Sequence, residues 1–380
     1  MSEVVARIGR GVASFDPVQW DACAGQDNPF LTHAFLSALE ESGSATTRTG
    51  WQPVPIAIDG ADGAPEAVMP AYVKSHSQGE YVFDHGWAQA WEAAGGEYYP
   101  KLQIAVPFTP VPGRRLLTAR PGLAPALIAA AEAVVEQNGL SSAHATFIAE
   151  AEVPLFEAAG WLIRVDSQFH WANEGYGSFD DFLAALSSRK RKAIRKERAG
   201  AVEGLEVVHV TGAAITEAHW DAFWAFYQET GSRKWGRPYL TRRFFSLLGE
   251  RMADRILLIL ALHEGRPVAG ALNLIGADTL YGRYWGALID VPGLHFEICY
   301  YQAIEAAIAR GLARVEAGAQ GSHKLSRGYR PVPTWSAHFI PNPGFRRAVS
   351  DFLAQERAAV AEQIAELDEM TPFRKGPADA

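Results

Sequence analysis

Cysteine is almost absent from this sequence. Cys23 and Cys299 are the only two, far apart and outside any His/Cys cluster at metal-ligand spacing. That argues against a disulfide framework and a structural zinc, and it points to a reducing compartment. Long apolar runs are lacking as well: no stretch approaches the roughly 18 continuous apolar residues of a membrane span, and Met1 to Arg10 carries no apolar core of a signal peptide. The expectation is a cytoplasmic protein with no integral membrane segment, with peripheral association at a membrane face left open. An excess of positive charge is missing too. The formal net charge is −8, so the molecule as a whole repels polyanions and any nucleic-acid contact needs a local basic patch. No low-complexity tract appears, and 48% hydrophobic against 21% charged residues is the balance of a soluble globular enzyme. At 380 residues, two domains of about 150 to 200 residues each are expected.

What the chain does contain is a repeated pattern. In the first half, runs at Val54 to Ile58, Ala67 to Val73 and Tyr81 to Phe83 alternate with Gly/Asp turns. In the second, Ile256 to Leu262, Val268 to Ile275 and Leu280 to Trp285 do the same. Short β-rich runs punctuated in this way signal an antiparallel meander. An amphipathic helix follows each meander, its apolar face carrying Leu123, Leu127, Ala130 and Val134, or Ile298, Tyr301, Ile304 and Ile308. Each helix stops at a glycine suited to a left-handed cap, Gly139 or Gly311, and leads at once into a short strand, Ala143 to Ile148 or Ala313 to Glu316. A Gly-aromatic pair then precedes a His-aromatic pair in both halves: Gly160-Trp161 with His170-Trp171, and Gly328-Tyr329 with His338-Phe339.

A meander, a helix returning to a parallel strand and a further hairpin-like element outline the acyl-CoA N-acyltransferase fold. The corner Phe156-Glu-Ala-Ala-Gly-Trp161 resembles the helix-to-strand corner of GNAT enzymes, and Leu294 to Tyr301 and Glu316 to Gly328 resemble segments of the FemAB-like predicted N-acyltransferases. The resemblance implies an α/β fold of mixed sheets in tandem duplicated GNAT-like domains. These would span residues 1–172 and 173–345, followed over 346–380 by a C-terminal helix from Phe345 to Leu367 and a tail disordered from Thr371.

Acyl transfer to an amine needs a route for the amine proton and donors aimed at the developing oxyanion. In this fold the oxyanion donor is generally a backbone N–H on the splayed central strand, so candidates are sought among polar residues at strand ends. The densest cluster is Glu316, Gln320, His323 and Lys324, directly after a core strand. It resembles the D-x-Q…H-L-x-S-x-G stretch of leucyl/phenylalanyl-tRNA protein transferases, with Gln320 and His323 as approximate counterparts and Glu316 set further from Gln320 than the family Asp. Glu316 or His323 is expected as proton acceptor and Lys324 as anchor for an anion or carbonyl. The alternative is an ordinary polar loop.

Seven of the ten residues from Arg189 to Arg198 are Lys or Arg, on a segment expected to be helical. The stretch resembles a basic segment of Fem-type aminoacyl transferases. Arg189, Arg191, Lys192, Arg195 and Lys196 are its candidates for holding donor phosphates; a solvated basic face is the alternative. A glycine-rich pyrophosphate loop, Q/R-x-x-G-x-G/A, is missing from both halves: Val291-Pro-Gly-Leu-His-Phe296 and Pro110-Val-Pro-Gly-Arg-Arg-Leu116 offer one glycine each. That weakens acetyl-CoA as donor and favours aminoacyl-tRNA. Aromatics at the meander ends, together with Asp84, mark a groove for the acceptor between the halves, with Asp84, Trp87, Tyr281, Arg283 and Trp285 as substrate-binding candidates, although core packing accounts for many such aromatics. The expected activity is transfer of an acyl or aminoacyl group from acyl-CoA or aminoacyl-tRNA, as co-substrate and not a bound cofactor, to a primary amine of a small molecule or peptide, without metal. A non-catalytic module recognising peptides or peptidoglycan precursors is the rival.

Overall fold

The computed structural model describes residues 5–234, 238–318 and 321–374. They form two compact units that interleave along the chain. The first comprises Met1–Asp166, Tyr239–Phe244 and Pro333–Glu362, and the second Ser167–Pro238, Phe245–Val332 and Gln363–Ala380.

In the first unit, β1 (Trp51–Pro53), β2 (Ala71–Lys74) and β3 (Lys101–Ile104) pair antiparallel in that order. The helix α1 (His85–Ala93) lies between β2 and β3 in the chain, and α2 (Ala124–Gln137) carries the chain from β3 to β4 (Ala143–Ile148), which pairs parallel to β3. A second, small sheet is built from Ala6–Ile8, Ile56–Asp59, Pro65–Met69 and Leu117–Thr118. The expected strand at Tyr81 to Phe83 does not form. Tyr81 adopts a left-handed φ of 61°, and the flanking Glu80 and Asp84 turn inward to Lys101, so the third strand of the meander is β3 instead. Of the other two expected runs, Ile56–Asp59 and Pro65–Met69 fall in the small sheet and only Ala71–Lys74 joins the meander, behind Trp51–Pro53.

The chain then enters β5 (Leu162–Ala172) and crosses into the second unit. There β6 (Glu206–Thr211), β7 (Ile256–His263), β8 (Arg266–Ile275) and β9 (Thr279–Ala287) form an antiparallel meander. After a helical passage ending in α5 (Gln302–Ala309), β10 (Arg314–Glu316) pairs parallel to β9 and antiparallel to the end of β5. β11 (Arg330–Phe339) leads back to the first unit, where it pairs antiparallel to β4. Each unit thus completes its sheet with the strand that follows the other unit's helix-strand crossover. This is the mixed α/β arrangement of two like units expected from the sequence, with one parallel pair in each, β4 beside β3 and β10 beside β9.

The repeat extends to the caps. α2 buries Leu127, Ile128, Ala131 and Val135, and ends with Gly139 at φ 62° and Leu140 N–H donating to Val135 O at 2.9 Å. In the second unit α5 (Gln302–Ala309) ends with Gly311 at φ 66° and Leu312 N–H donating to Ala307 O at 2.9 Å. Both are left-handed caps that return the chain to a strand. The second unit's other face is covered by a long helix, α4 (Glu217–Lys234), packed on β8 and β9. Gly286 is required there: a Cβ would stand 2.1 Å from the Phe226 carbonyl oxygen. The basic segment is helical, α3 (Ser188–Ala201), and the C-terminal helix α6 runs Pro343–Glu369. Beyond it Phe373 bridges to Leu186; for residues 375–380 the expected disorder lies outside the described residues.

The first unit buries unusual charge. Lys74 and Lys101 are register partners on β2 and β3, both fully buried. Glu80 accepts from Lys101 at 2.7 Å and lies 3.7 Å from Lys74; Asp84 also accepts from Lys101 and takes a 2.6 Å bond from Tyr98 Oη. Burial lifts Glu80 to about 7 and presses Lys74 down to about 7. Burial alone would raise Asp84, but Lys101 holds it below the usual carboxylate range. On the neighbouring strands Nδ1 of His144 meets Nδ1 of His338 at 2.7 Å, and burial keeps His144 at about 3.

Beyond the parallel pairing of β3 and β4, this unit is plugged by its own loop. Gly113 bridges to Ile148, and the buried Arg115 donates from Nε to Thr146 O at 3.0 Å and from Nη2 to Val111 O at 2.7 Å. Glu152 accepts the backbone N–H groups of Arg115 and Leu116 at 2.9 and 2.8 Å. Replacing Glu152 with Ala orphans two buried N–H groups and leaves the buried guanidinium uncompensated. We expect a loss of about 3–5 kcal/mol in chemical denaturation; a loss below about 1 kcal/mol would show that this loop does not seal the unit.

Candidate functional site

In the second unit the same strand pair is open. β9 and β10 are paired for three positions only, Thr279 with Arg314, Leu280 with Val315 and Tyr281 with Glu316. Past Tyr281, β9 runs on beside β8 while β10 ends. The register between β8 and β9 slips there: Asn273 faces Gly282 and Leu272 faces Tyr284, which makes Arg283 the extra residue of a β-bulge. A cavity of about 80 Å³ opens at this place, lined among others by Asn273, Gly282, Tyr284, Trp285, Tyr300 and Ala317. A neighbouring cavity of about 180 Å³ shares Trp285 and His295 with it and includes Asp290 and Val291. The chain between them passes through a π-helical turn, Glu297–Tyr301, a distortion often found at functional sites.

Glu316, at the end of β10, is buried and ion-paired with Arg283, Nη2 to Oε2 at 3.2 Å. Arg283 also lies over the Tyr281 ring, 5.2 Å from its centroid. His170, register partner of Glu316 on β5, is pressed below its usual pKa by burial against the opposing pull of Glu316. Lys324 is 1% exposed, donates to Gly318 O at 2.8 Å, and is pushed down to about 7 by burial and by Arg283. His323 is exposed, with Nε2 2.9 Å from Tyr300 Oη. Gln320 lies outside the described residues. Among the described residues no group of three or more His, Cys, Asp or Glu is arranged to hold a metal ion, and no helix is long and apolar enough to cross a membrane.

The chain matches the FemAB-like family, described as peptidoglycan biosynthesis/recognition, over residues 11–375. It belongs to this family. Solved structures with the same fold include FemX, at 11% identity over 88% of this chain and 98% of that one with a TM-score of 0.56. L-PGS from Bacillus licheniformis is similar at 10% identity over 92% and 99%, TM-score 0.51. A conserved protein of unknown function from Bacteroides thetaiotaomicron VPI-5482 is similar at 12% identity over 88% and 100%, TM-score 0.52. At such identities the likeness concerns the fold. No curated protein matches the sequence.

Against this FemAB-like frame, the structure gathers Tyr281, Arg283, Trp285, Glu316 and Lys324 around the end of the β9–β10 pairing. Asp84 and Trp87 belong to the first unit: Asp84 is bound to Lys101 and Tyr98, and the Trp87 ring stands 4.9 Å from that of His338. The basic helix α3 lies in the second unit. Arg198 is held by Glu297 and Glu305 at 2.8 and 2.9 Å, and Arg195 reaches Asp180 at 2.7 Å between exposed partners. Among the described residues no ion pair engages Arg189, Arg191, Lys192 or Lys196. Asn273, Tyr300 and His295 were missed from the sequence. A lone Asn in the apolar run Val268 to Ile275 was the available signal for the first, and the segment Leu294 to Tyr301 for the others.

Burying a lysine with a pKa near 7 costs stability, and the sign is fixed by the shift. Between about 7 and 10.5 the folded state sheds the Lys324 proton while the unfolded state keeps it, so stability rises with pH across that window. Lys324→Met should therefore raise the melting temperature at pH 7 by roughly 2–4 °C and flatten this rise. A variant that melts lower with an unchanged pH slope would show that Lys324 is not buried as an unpaired cation.

Proposed function

We propose that the protein is an N-acyltransferase that moves an acyl or aminoacyl group from acyl-CoA or aminoacyl-tRNA to a primary amine of a small molecule or peptide, working at the β9–β10 opening. The observation that carries this reading is Lys324, a buried amine whose pKa is pushed down to about 7 by burial and by Arg283, beside the point where the β9–β10 pairing ends. The amine attacks the donor carbonyl, and the new C–N bond forms as the bond to the ester oxygen or thioester sulfur breaks. The carbonyl oxygen is placed at the end of the β9–β10 pairing, where acyl transfer requires a donor aimed at the developing oxyanion. Lys324 takes the amine's proton, and the departing hydroxyl or thiol takes up one in turn. The Glu316 carboxylate, committed to Arg283, serves to position that guanidinium. His323, exposed and tied to Tyr300, suits contact with a substrate arriving from solvent.

Membership of a peptidoglycan-related family favours a peptide acceptor such as a peptidoglycan precursor. The tandem halves, 1–172 and 173–345, are proposed as the duplicated units, with the second carrying the chemistry because the first is plugged by Arg115. A non-catalytic recognition module is the second reading, favoured by the single glycine before the π-helical turn, which leaves no pyrophosphate loop. Incubation with labelled aminoacyl-tRNAs and acyl-CoAs, followed by a search for label in amine acceptors, separates the two. Transfer whose rate rises as pH passes through about 7 supports the enzyme, whereas tight peptide binding with no transfer from any donor supports the module.

The basic helix is proposed to hold donor phosphates through Arg189, Arg191, Lys192, Arg195 and Lys196. Neutralising these residues together should weaken donor binding at low salt at least tenfold and leave stability within about 0.5 kcal/mol, since exposed charges contribute little to folding. A tRNA donor should lose affinity steeply with added salt and a CoA donor only shallowly. Wild-type donor affinity in the neutralised variant at low salt would reduce α3 to a solvated face.

A further inference from the structure

Asn273 is fully buried in β8, where its neighbours are otherwise apolar. Its Nδ2 donates to Leu257 O at 3.2 Å, and because a carbonyl only accepts, this bond fixes which way the amide points. The other end, Oδ1, has no hydrogen-bond partner, and Asn273 lines the cavity at the strand opening. Its direction is given by Gly282: a Cβ placed there would stand 3.3 Å from Asn273 Oδ1 and 3.5 Å from Glu316 O, within the gap where β9 and β10 part. An acceptor left unpaired in a protein interior costs about 1–3 kcal/mol, and such an exception calls for a specific explanation.

We propose that Asn273 is the specificity-determining residue of the donor subsite, its Oδ1 accepting a hydrogen bond from an N–H or O–H group on the α-carbon of the transferred acyl group. This rests on the acyl-transfer reading above. If the donor carbonyl sits at the end of the β9–β10 pairing, its α-carbon is one bond away and its substituents fall into the cavity lined there by Asn273, Gly282 and Ala317. An α-amino or α-hydroxy acyl group supplies the hydrogen that Oδ1 lacks; an acetyl or propionyl group supplies none. The small residues Ala271, Gly282 and Ala317 leave room for the substituent, and the Tyr284, Trp285 and Tyr300 rings on the lining suit an amine, whose N–H groups are attracted to aromatic faces. Asn273 thereby discriminates between the donor classes left open above, by the chemistry of one carbon.

The test compares three acyl groups of nearly equal size, alanyl, lactyl and propionyl, each carried on CoA as a thioester and on tRNA through a stable 3′-amide, in equilibrium binding to the full chain. On the carrier that binds, alanyl or lactyl should bind about tenfold more tightly than propionyl, the effect of one hydrogen bond to a desolvated acceptor. Alanyl above lactyl identifies an amine as the recognised group, and the reverse a hydroxyl. Asn273→Leu removes the oxygen, and Gly282→Ala fills the space beside it; both should bring the ratio close to one. Propionyl binding as tightly as the other two in the wild-type protein overturns the inference without any variant. A ratio that persists in both variants overturns the assignment to Asn273. Failure of every acyl group on both carriers to bind removes the transferase reading, and this inference with it.

Discussion

Three residue pairs between β9 and β10 decide what the second unit can do. A parallel pair that continued would bury its backbone groups in a ladder and leave nothing for a substrate. Here pairing stops because two features meet at Tyr281 and Glu316. The bulge at Arg283 changes the twist and register of β9, and its guanidinium is anchored on the carboxylate that ends β10. After Glu316 the chain turns away through Gly318 at φ 78°, and Lys324 fastens this turn by its bond to Gly318 O. The bulge, the ion pair and the buried lysine therefore belong to one device that holds two strands apart, and the cavity lies where they part.

The first unit shows what the same topology becomes without that opening. Its parallel pairing is equally short, Leu102 with Ala143 to Ile104 with Ala145, yet the loop that follows β3 folds back into the gap. Arg115 spends its donors on backbone carbonyls, the arrangement a guanidinium's planar fork allows, and Glu152 ties the loop's N–H groups. Position for position, the pair Glu316 and His170 of the second unit corresponds to His144 and His338 of the first. A carboxylate facing a histidine is replaced by two neutral imidazoles hydrogen-bonded to each other, which is inert packing at neutral pH. Duplication preserved the pairing order while the polar content of the gap diverged.

Much of this was legible in the sequence, for reasons that differ by element. The two helices and their glycine stops were readable because an apolar stripe has a period and a left-handed residue demands glycine, both local properties. The repeat of Gly-aromatic and His-aromatic pairs marked β5 and β11, whose residues have the same roles in the two units. Tyr81 to Phe83 misled because an aromatic run has strand propensity whatever its surroundings; two carboxylates drawn to a buried lysine twenty residues on overrode it. The plug at Arg115 could not be read at all, since its partners are backbone carbonyls brought together only by folding. Lys324 was visible as a candidate, but its low pKa arises from burial and from Arg283, neither of which has a signature at its own position.

Electrostatics then separates cations that hold the fold from cations left for a ligand. Arg198 is clamped by Glu297 and Glu305, and Arg327 lies against the Phe296 ring with Glu197 at 2.6 Å; both have a carboxylate partner within the protein. The loop before the π-helical turn offers one glycine and the exposed Asp290, a poor place for a pyrophosphate, because an anion there meets a carboxylate. The basic face of α3, with Arg189, Lys192 and Lys196 exposed, is thus where a polyanionic donor would gain most. A donor gripped along a helix face, and not by its pyrophosphate at a helix end, must carry phosphates spread over a longer span than CoA provides. Charge placement on α3 and the hydrogen-bonding need of Asn273 are independent features: on the proposed reading the first bears on the carrier, and the second on the substituent of the transferred acyl group.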